Sequence, residues 1–157
     1  MFRAQSKLTV GTLLDVTPGG VLDTCVFVSA LRSRRGASYR LLELVGTGRF
    51  EVELSVPLAL EYEAVGRRTL PETSVSESTF EDILDFVCRS TRHRAVYYSW
   101  RPYLPDPGDD MVLELAVVAG GASIVTFNVA HFRGVERFGI RVIRPQEFLA
   151  ELGEGQS

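Results

Sequence analysis

The chemistry this chain can offer lies in acids that end or interrupt apolar runs. Val21-Leu22 stops at Asp23-Thr24; Glu61 and Glu63 sit in the otherwise apolar LALEYEAV; Asp106, Asp109 and Asp110 crowd one proline-rich loop. Glu114 stands among Val112, Leu113, Leu115 and Ala116, and Ser123 to Thr126 is followed by Phe127-Asn128. Carboxylates gathered at one place repel each other and resist ionisation unless a cation offsets them. Oxygen-only donors of this kind suit Mg²⁺ or Mn²⁺.

Each acid also has a purely structural reading. Asp23 can cap the helix that follows it, and Asp109 or Asp110 is a natural N-cap for the apolar helix after the loop. Glu61 can be a solvated helix position, although Leu58, Leu60, Tyr62 and Val65 leave little polar face for it. Glu114, in a helix without a solvated stripe, calls for either an arginine partner or a place facing the site. Asp110 and Glu114 are one helical turn apart and share a face. His93 and His131 have no second ligand at metal spacing and read as surface or helix-end residues. Cys25 and Cys88, in apolar surroundings with no CxxC, read as reduced buried thiols. Neither GxxxxGK[ST] nor GxGxxG occurs, which argues against a glycine-cradled nucleotide.

These residues need elements to hold them. Val21 to Asp23 reads as a short buried strand, followed by a helix over FVSALRS and another ending near Gly46. Phe50 to Ser55 alternates apolar and charged residues as a second strand, and Pro57 opens a helix through LALEYEAVGRR. Ser78-Thr79-Phe80-Glu81 reads as a capping box ahead of ILDFVCR. Ala95 to Trp100 reads as an aromatic strand, Met111 to Gly121 as an apolar helix, Ser123 to Thr126 and Arg141 to Ile143 as strands, and PQEFLAEL as a closing helix. Strands alternating with helices predict a three-layer α/β/α sandwich around a central, mostly parallel sheet. Residues 1–18 read as a lead-in or arm, 19–152 as one domain and 153–157 as a tail. Open parallel sheets bind ligands beyond the carboxyl ends of their strands, where these acids fall.

The chain has 157 residues, 45% of them apolar, which is enough for one domain without disulfides. No run of about 18 apolar residues exists to span a membrane. No secretory apolar run opens the chain, so a cytoplasmic protein is expected. Twenty acids against 17 bases leave a net charge of −3, which excludes a uniformly basic nucleic-acid binder. Yet 16 of the 17 bases are arginine. Arg32 to Arg40 and Arg89 to Arg101 each hold four arginines and no acid, the second interleaved with Tyr97, Tyr98 and Trp100. Such segments suit single-stranded RNA, with guanidinium for phosphate and rings for bases; a solvated face and strand core are the plainer alternatives.

The succession VLDTCVFVSAL, SVPLALEYEAV, DPGDDMVLELAVVAGGASIVTFN, then HF and PQEFL, resembles PIN-domain proteins of the toxin group of toxin-antitoxin systems, over about residues 20–150. The resemblance implies a metal-dependent ribonuclease, with Mg²⁺ or Mn²⁺ as cofactor, RNA as substrate, a small antitoxin protein as partner, and homodimers. It places the family's strand-end aspartate at Asp23, with Thr24 as its hydroxyl neighbour. It places the helix glutamate at Glu61 rather than Glu63, because Val65 and Arg68 keep the family spacing, and the later acid at Asp109, with Asp110 beside it as a further ligand. Many such proteins carry an aspartate after the late strand, where this chain reads Val125-Thr126-Phe127-Asn128. Asparagine keeps a carbonyl ligand but loses a charge, which Glu114 or Asp110 can supply. The resemblance therefore implies catalytic Asp23, Glu61 and Asp109, supported by Thr24, Thr126, Asn128 and Glu114. The alternative is a degenerate module of the same fold that binds a protein or RNA partner. Asp23-Thr24-Cys25 also suits a phosphatase nucleophile of the haloacid dehalogenase kind, but Cys25 stands where that chemistry needs a second aspartate.

Overall fold

Short apolar strands in parallel pairing organise the chain, of which the computed structural model describes residues 17–96 and 103–154. Strand β1 (Gly19–Leu22) leads into helices α1 (Thr24–Arg32) and α2 (Ala37–Leu44). Strand β2 (Glu51–Leu54) leads into α3 (Val56–Thr69) and α4 (Glu77–Ser90). After β3 (Arg92–His93) come α5 (Pro107–Val118), β4 (Ser123–Val125), two 3-10 turns (Val129–Phe132 and Val135–Phe138), β5 (Val142–Ile143) and α6 (Pro145–Glu151).

The sheet runs β3-β2-β1-β4-β5, and every neighbouring pair is parallel. The central strand β1 sets Gly20 against both Val52 and Ser123, and Leu22 against Val125. From β1 to β3 the chain steps one way across the sheet, and from β3 to β5 the other. Right-handed crossovers therefore put α5 on the face opposite α1 to α4. Helix α5 lies across β1, β2 and β4, while α6 returns to pack on α2. The expected three-layer sandwich is the fold observed. All strands end on one edge, and the order reverses between β1 and β4, which opens a crevice there.

Both sheet faces are covered, so the alternation in FEVELS does not produce a solvated face. Glu53 is buried, and its carboxylate accepts from Arg94 Nε at 2.7 Å. Between the helices, Phe27 stacks on Tyr62 at 4.5 Å and meets Phe80 edge-on at 6.4 Å. Gly66 is where α3 lets the Phe80 ring come close: a Cβ there would lie 2.5 Å from Phe80 Cε1.

Three local expectations are corrected. Helix α4 is capped by Ser76, whose hydroxyl accepts from the Thr79 N–H at 3.1 Å, and not by Ser78, which lies inside the helix. Helix α5 is capped by Asp106 rather than Asp109 or Asp110, because Pro107 is pre-set for the first helical position. The strand beside β2 is Arg92–His93, ahead of the aromatic stretch expected from Ala95. Tyr97 to Trp100 lie outside the described residues, as do most of the lead-in and residues 155–157. No helix among the described residues is long and apolar enough to cross a membrane.

Candidate active site

Asp23 is the first residue past β1, at the centre of the sheet's carboxyl edge. Its backbone N–H still donates to Val125 O at 2.9 Å, so the residue is held to β4 after the strand ends. Its side chain caps α1: Oδ1 accepts from the Thr24 N–H at 2.8 Å. The other oxygen, Oδ2, accepts from the Thr126 hydroxyl at 2.7 Å and from the Cys25 thiol at 3.5 Å. Capping and a site role are thus compatible, since a carboxylate has lone pairs beyond those the cap uses. Thr126 is fully buried and its hydroxyl accepts in turn from the Asn128 N–H at 2.9 Å, which orients it toward Asp23. Burial, then the charge of Asp23, pushes the Cys25 thiol up, so it stays a neutral donor.

Glu61 arrives from the neighbouring strand. Ser55, just past β2, caps α3 by accepting from the Leu58 N–H at 3.3 Å, and Pro57 sits in the first turn. Side chains lean toward a helix N-terminus, which returns Glu61 toward the sheet edge. Its Oε2 accepts from the Thr24 hydroxyl at 2.7 Å, while Glu63 turns away to Arg67 at 3.2 Å. Tyr62, between them, is buried and donates to Leu22 O at 2.6 Å, locking α3 onto the end of β1.

The first turn of α5 completes the acidic edge. A Cβ on Gly108 would lie 3.4 Å from Asp106 Oδ1 and 3.7 Å from Glu61 Oε1, so Asp106 and Glu61 flank that turn. Asp109 is pushed up to about 6, first by desolvation and then by the charges of Asp23 and Asp106 and, further down, Glu61, with His131 opposing the rise. The His131 Nδ1 lies 3.5 Å from Asp109 Oδ2. A cavity of about 390 Å³ opens beside them, lined by Tyr103, Leu104, Asp106, Asp109, His131 and Arg133 among others.

Not every expected residue joins this group. Asp110 is buried and its Oδ1 accepts from the Leu104 N–H at 2.9 Å and the Tyr103 N–H at 3.3 Å, so it fastens the loop before α5. Glu114 lies partly buried one turn further along α5. Asn128 is exposed and opens the first 3-10 turn after β4. Asp106, one of the loop acids, and His131, read from the sequence as a surface or helix-end residue, both bear on Asp109. The Asp-Pro pair at 106–107 was the available signal for a cap; His131 carries none, because its approach to Asp109 comes from the turn after β4.

Among the described residues no three His, Cys, Asp or Glu side chains stand close enough to form a ready-made metal cluster. The donors nevertheless fit a hard divalent ion. They are oxygens only, Asp23 and Glu61 are each fixed by a hydroxyl, and Asp109 carries a repulsion that a cation would relieve. Mg²⁺ keeps several waters and needs only one or two carboxylates directly, so a dense cluster is not required.

A family model for the PIN domain matches residues 20–130, which includes Asp23, Glu61, Asp109 and Asn128. No curated protein matches the sequence significantly.

Proposed function

This chain belongs to the PIN-domain family, whose members are generally nucleases that use divalent metals, and from that premise we propose that it hydrolyses RNA phosphodiester bonds with Mg²⁺ or Mn²⁺. The observation that carries the reading is the setting of Asp109 at the carboxyl edge, where desolvation first, then the charges of Asp23 and Asp106 and, more weakly, Glu61 raise its pKa. Asp23, Glu61 and Asp109 would hold the ion, directly or through waters. When bound, it supplies a lowered pKa for water at the site and offsets charge on the scissile phosphate.

The chain's own groups do the positioning. Thr126 and Thr24 fix the oxygens of Asp23 and Glu61 through hydroxyl bonds of 2.7 Å each, so the acids need little reorganisation. Asp106 adds negative charge at the α5 end, and His131 offsets part of it next to Asp109. By the family resemblance Asn128 offers a neutral amide where many PIN domains have a fourth acid, so the edge has one charge fewer with which to hold the ion. We assign the chain to the toxin half of a toxin-antitoxin pair, acting in the cytoplasm as a homodimer. Its partner is a short protein that covers the acidic edge with an arginine.

The test is cleavage of single-stranded RNA by the purified full chain. Cleavage should need Mg²⁺ or Mn²⁺, stop with EDTA, and fall at least about a hundredfold in Asp23→Asn. Cleavage that survives both treatments, or none with any divalent ion, overturns the reading. Asn128, a neutral amide in place of an acid, favours one alternative, a non-catalytic module that binds a protein or RNA. That alternative requires no response of the protein to Mn²⁺.

A further inference from the structure

We propose that a cleft beside the acidic edge, walled by Arg34, Arg35 and Arg144 and carrying exposed Phe127, is the track that holds the single-stranded RNA next to the cleaved phosphate. The proposal rests on the ribonuclease reading and adds the path of the strand. Several arginines among the described residues are neutralised locally: Arg32 pairs with Glu72 at 2.8 Å, Arg40 with Glu43 and Glu154, and Arg67 with Glu63, whereas Arg68, Arg133 and Arg137 form no ion pair there but do not line the cleft. Arg34, Arg35 and Arg144 have no carboxylate within ion-pair distance among the described residues, and all three line one cleft of about 950 Å³. The acids at its border, Glu43 and Glu154, are occupied by Arg40, and Glu154 also by Arg49. In a chain of net charge −3, a cleft of unneutralised guanidinium is a place built for an anion.

Three further features suit phosphate and a base. Helix α2 begins in the cleft at Gly36, which has no side chain to cap it, so the first N–H groups keep their partial positive charge. Ser38, in that first turn, also lines the cleft, is 1% exposed, and its hydroxyl has no hydrogen-bond partner. Phe127, 40% exposed, offers a ring for a base to stack on, and its carbonyl is gripped by Arg144 Nη1 at 2.9 Å. Phe127 also directly follows Thr126, whose hydroxyl holds Asp23, so a base on its ring adjoins the acids. Ser29, on the cleft's other wall, is about 8 Å along α1 from Thr24. Part of the acid-free segment Arg32 to Arg40 thus acquires a definite place.

Binding of a fluorescent single-stranded RNA by the full chain in EDTA tests this without cleavage. Arg34→Ala/Arg35→Ala/Arg144→Ala should weaken binding tenfold or more and flatten the log–log salt dependence by about 2, since each single-strand phosphate contact contributes about 0.7. Phe127→Ala should weaken it by about tenfold and Phe127→Tyr should restore it. Lysine at 34 and 35 should keep most of the affinity, and an unchanged melting temperature excludes misfolding. RNA binding equal to wild type in the triple variant overturns the proposal, as does wild-type protein that binds no RNA. Unchanged RNA binding with loss of an acidic protein partner overturns it in favour of a protein-docking face. Binding through the cleft without Mg²⁺-dependent cleavage supports the track and defeats hydrolysis instead, so the two failures are distinguishable.

Discussion

Asp109 shows how a single partly buried acid can oppose folding. Its pKa rises from 3.8 in an unfolded chain to about 6 in the folded one, so between those values the native state binds the extra proton. Stability associated with this group is therefore full below pH 4 and lost as pH rises through about 6. Full conversion of the shift gives about 3 kcal/mol, and with solvent screening of this partly exposed group the ionised form opposes folding at pH 7.5 by on the order of 1–2 kcal/mol. Asp109→Asn should make the metal-free protein more stable by about that amount at pH 7.5 and by almost nothing at pH 4, in paired urea titrations. An equal gain at both pH values would mean that Asp109 carries no such load. The same substitution should abolish the proposed metal-dependent cleavage, because it removes one of the charged oxygens that would hold the ion. The acids themselves were legible in the sequence, since they end a strand and open a helix. The hydroxyl that fixes Asp23 was less so: Thr126 reaches it only because β4 lies beside β1.

At the scale of elements, the site depends on α3 being held at its middle and one turn further on. Tyr62 ties it to the end of β1, and Gly66 lets Phe80 of α4 approach. Alanine normally favours a helix over glycine by about 1 kcal/mol. At position 66 the added Cβ would lie 2.5 Å from the Phe80 ring, and the overlap decides the sign. Gly66→Ala should destabilise the protein by roughly 1–3 kcal/mol in chemical denaturation, and Phe80→Leu in that background should recover part of it. A stabilised Gly66→Ala would show that α3 and α4 separate freely. Sequence patterning located α3 and α4 well but misplaced the caps of α4 and α5. Serines at 76 and 78, and aspartates at 106, 109 and 110, are chemically equal caps; only the backbone's turn chooses among them.

For the whole molecule, a mild net charge conceals two segregated fields, acids along the carboxyl edge and unneutralised arginines in the adjacent cleft. The acidic field should respond to cations. At a Mn²⁺ concentration about a hundredfold above its dissociation constant, binding adds roughly 2.7 kcal/mol. For a domain of this size that corresponds to a melting shift of roughly 5–10 °C. Wild-type protein should show it and Asp23→Asn should not. A shift absent from both, or equal in both, leaves the acidic edge without a metal role and favours the non-catalytic module.

The order of strands and helices, and hence the three-layer class, follows from the sequence alone, because short strand-like runs bounded by turn residues alternate with longer segments of helical period. The placing of acids at strand ends and helix starts follows from it too. Tertiary structure decided which of them meet. Glu61 faces Thr24 while Glu63 faces Arg67, Asp110 fastens a loop, and Asp106 and His131 bear on Asp109. Those outcomes depend on the reversal of strand order between β1 and β4, which brings segments about a hundred residues apart to one edge. Local spacing carries no record of such a meeting, since it arises from the pairing of strands distant in the chain.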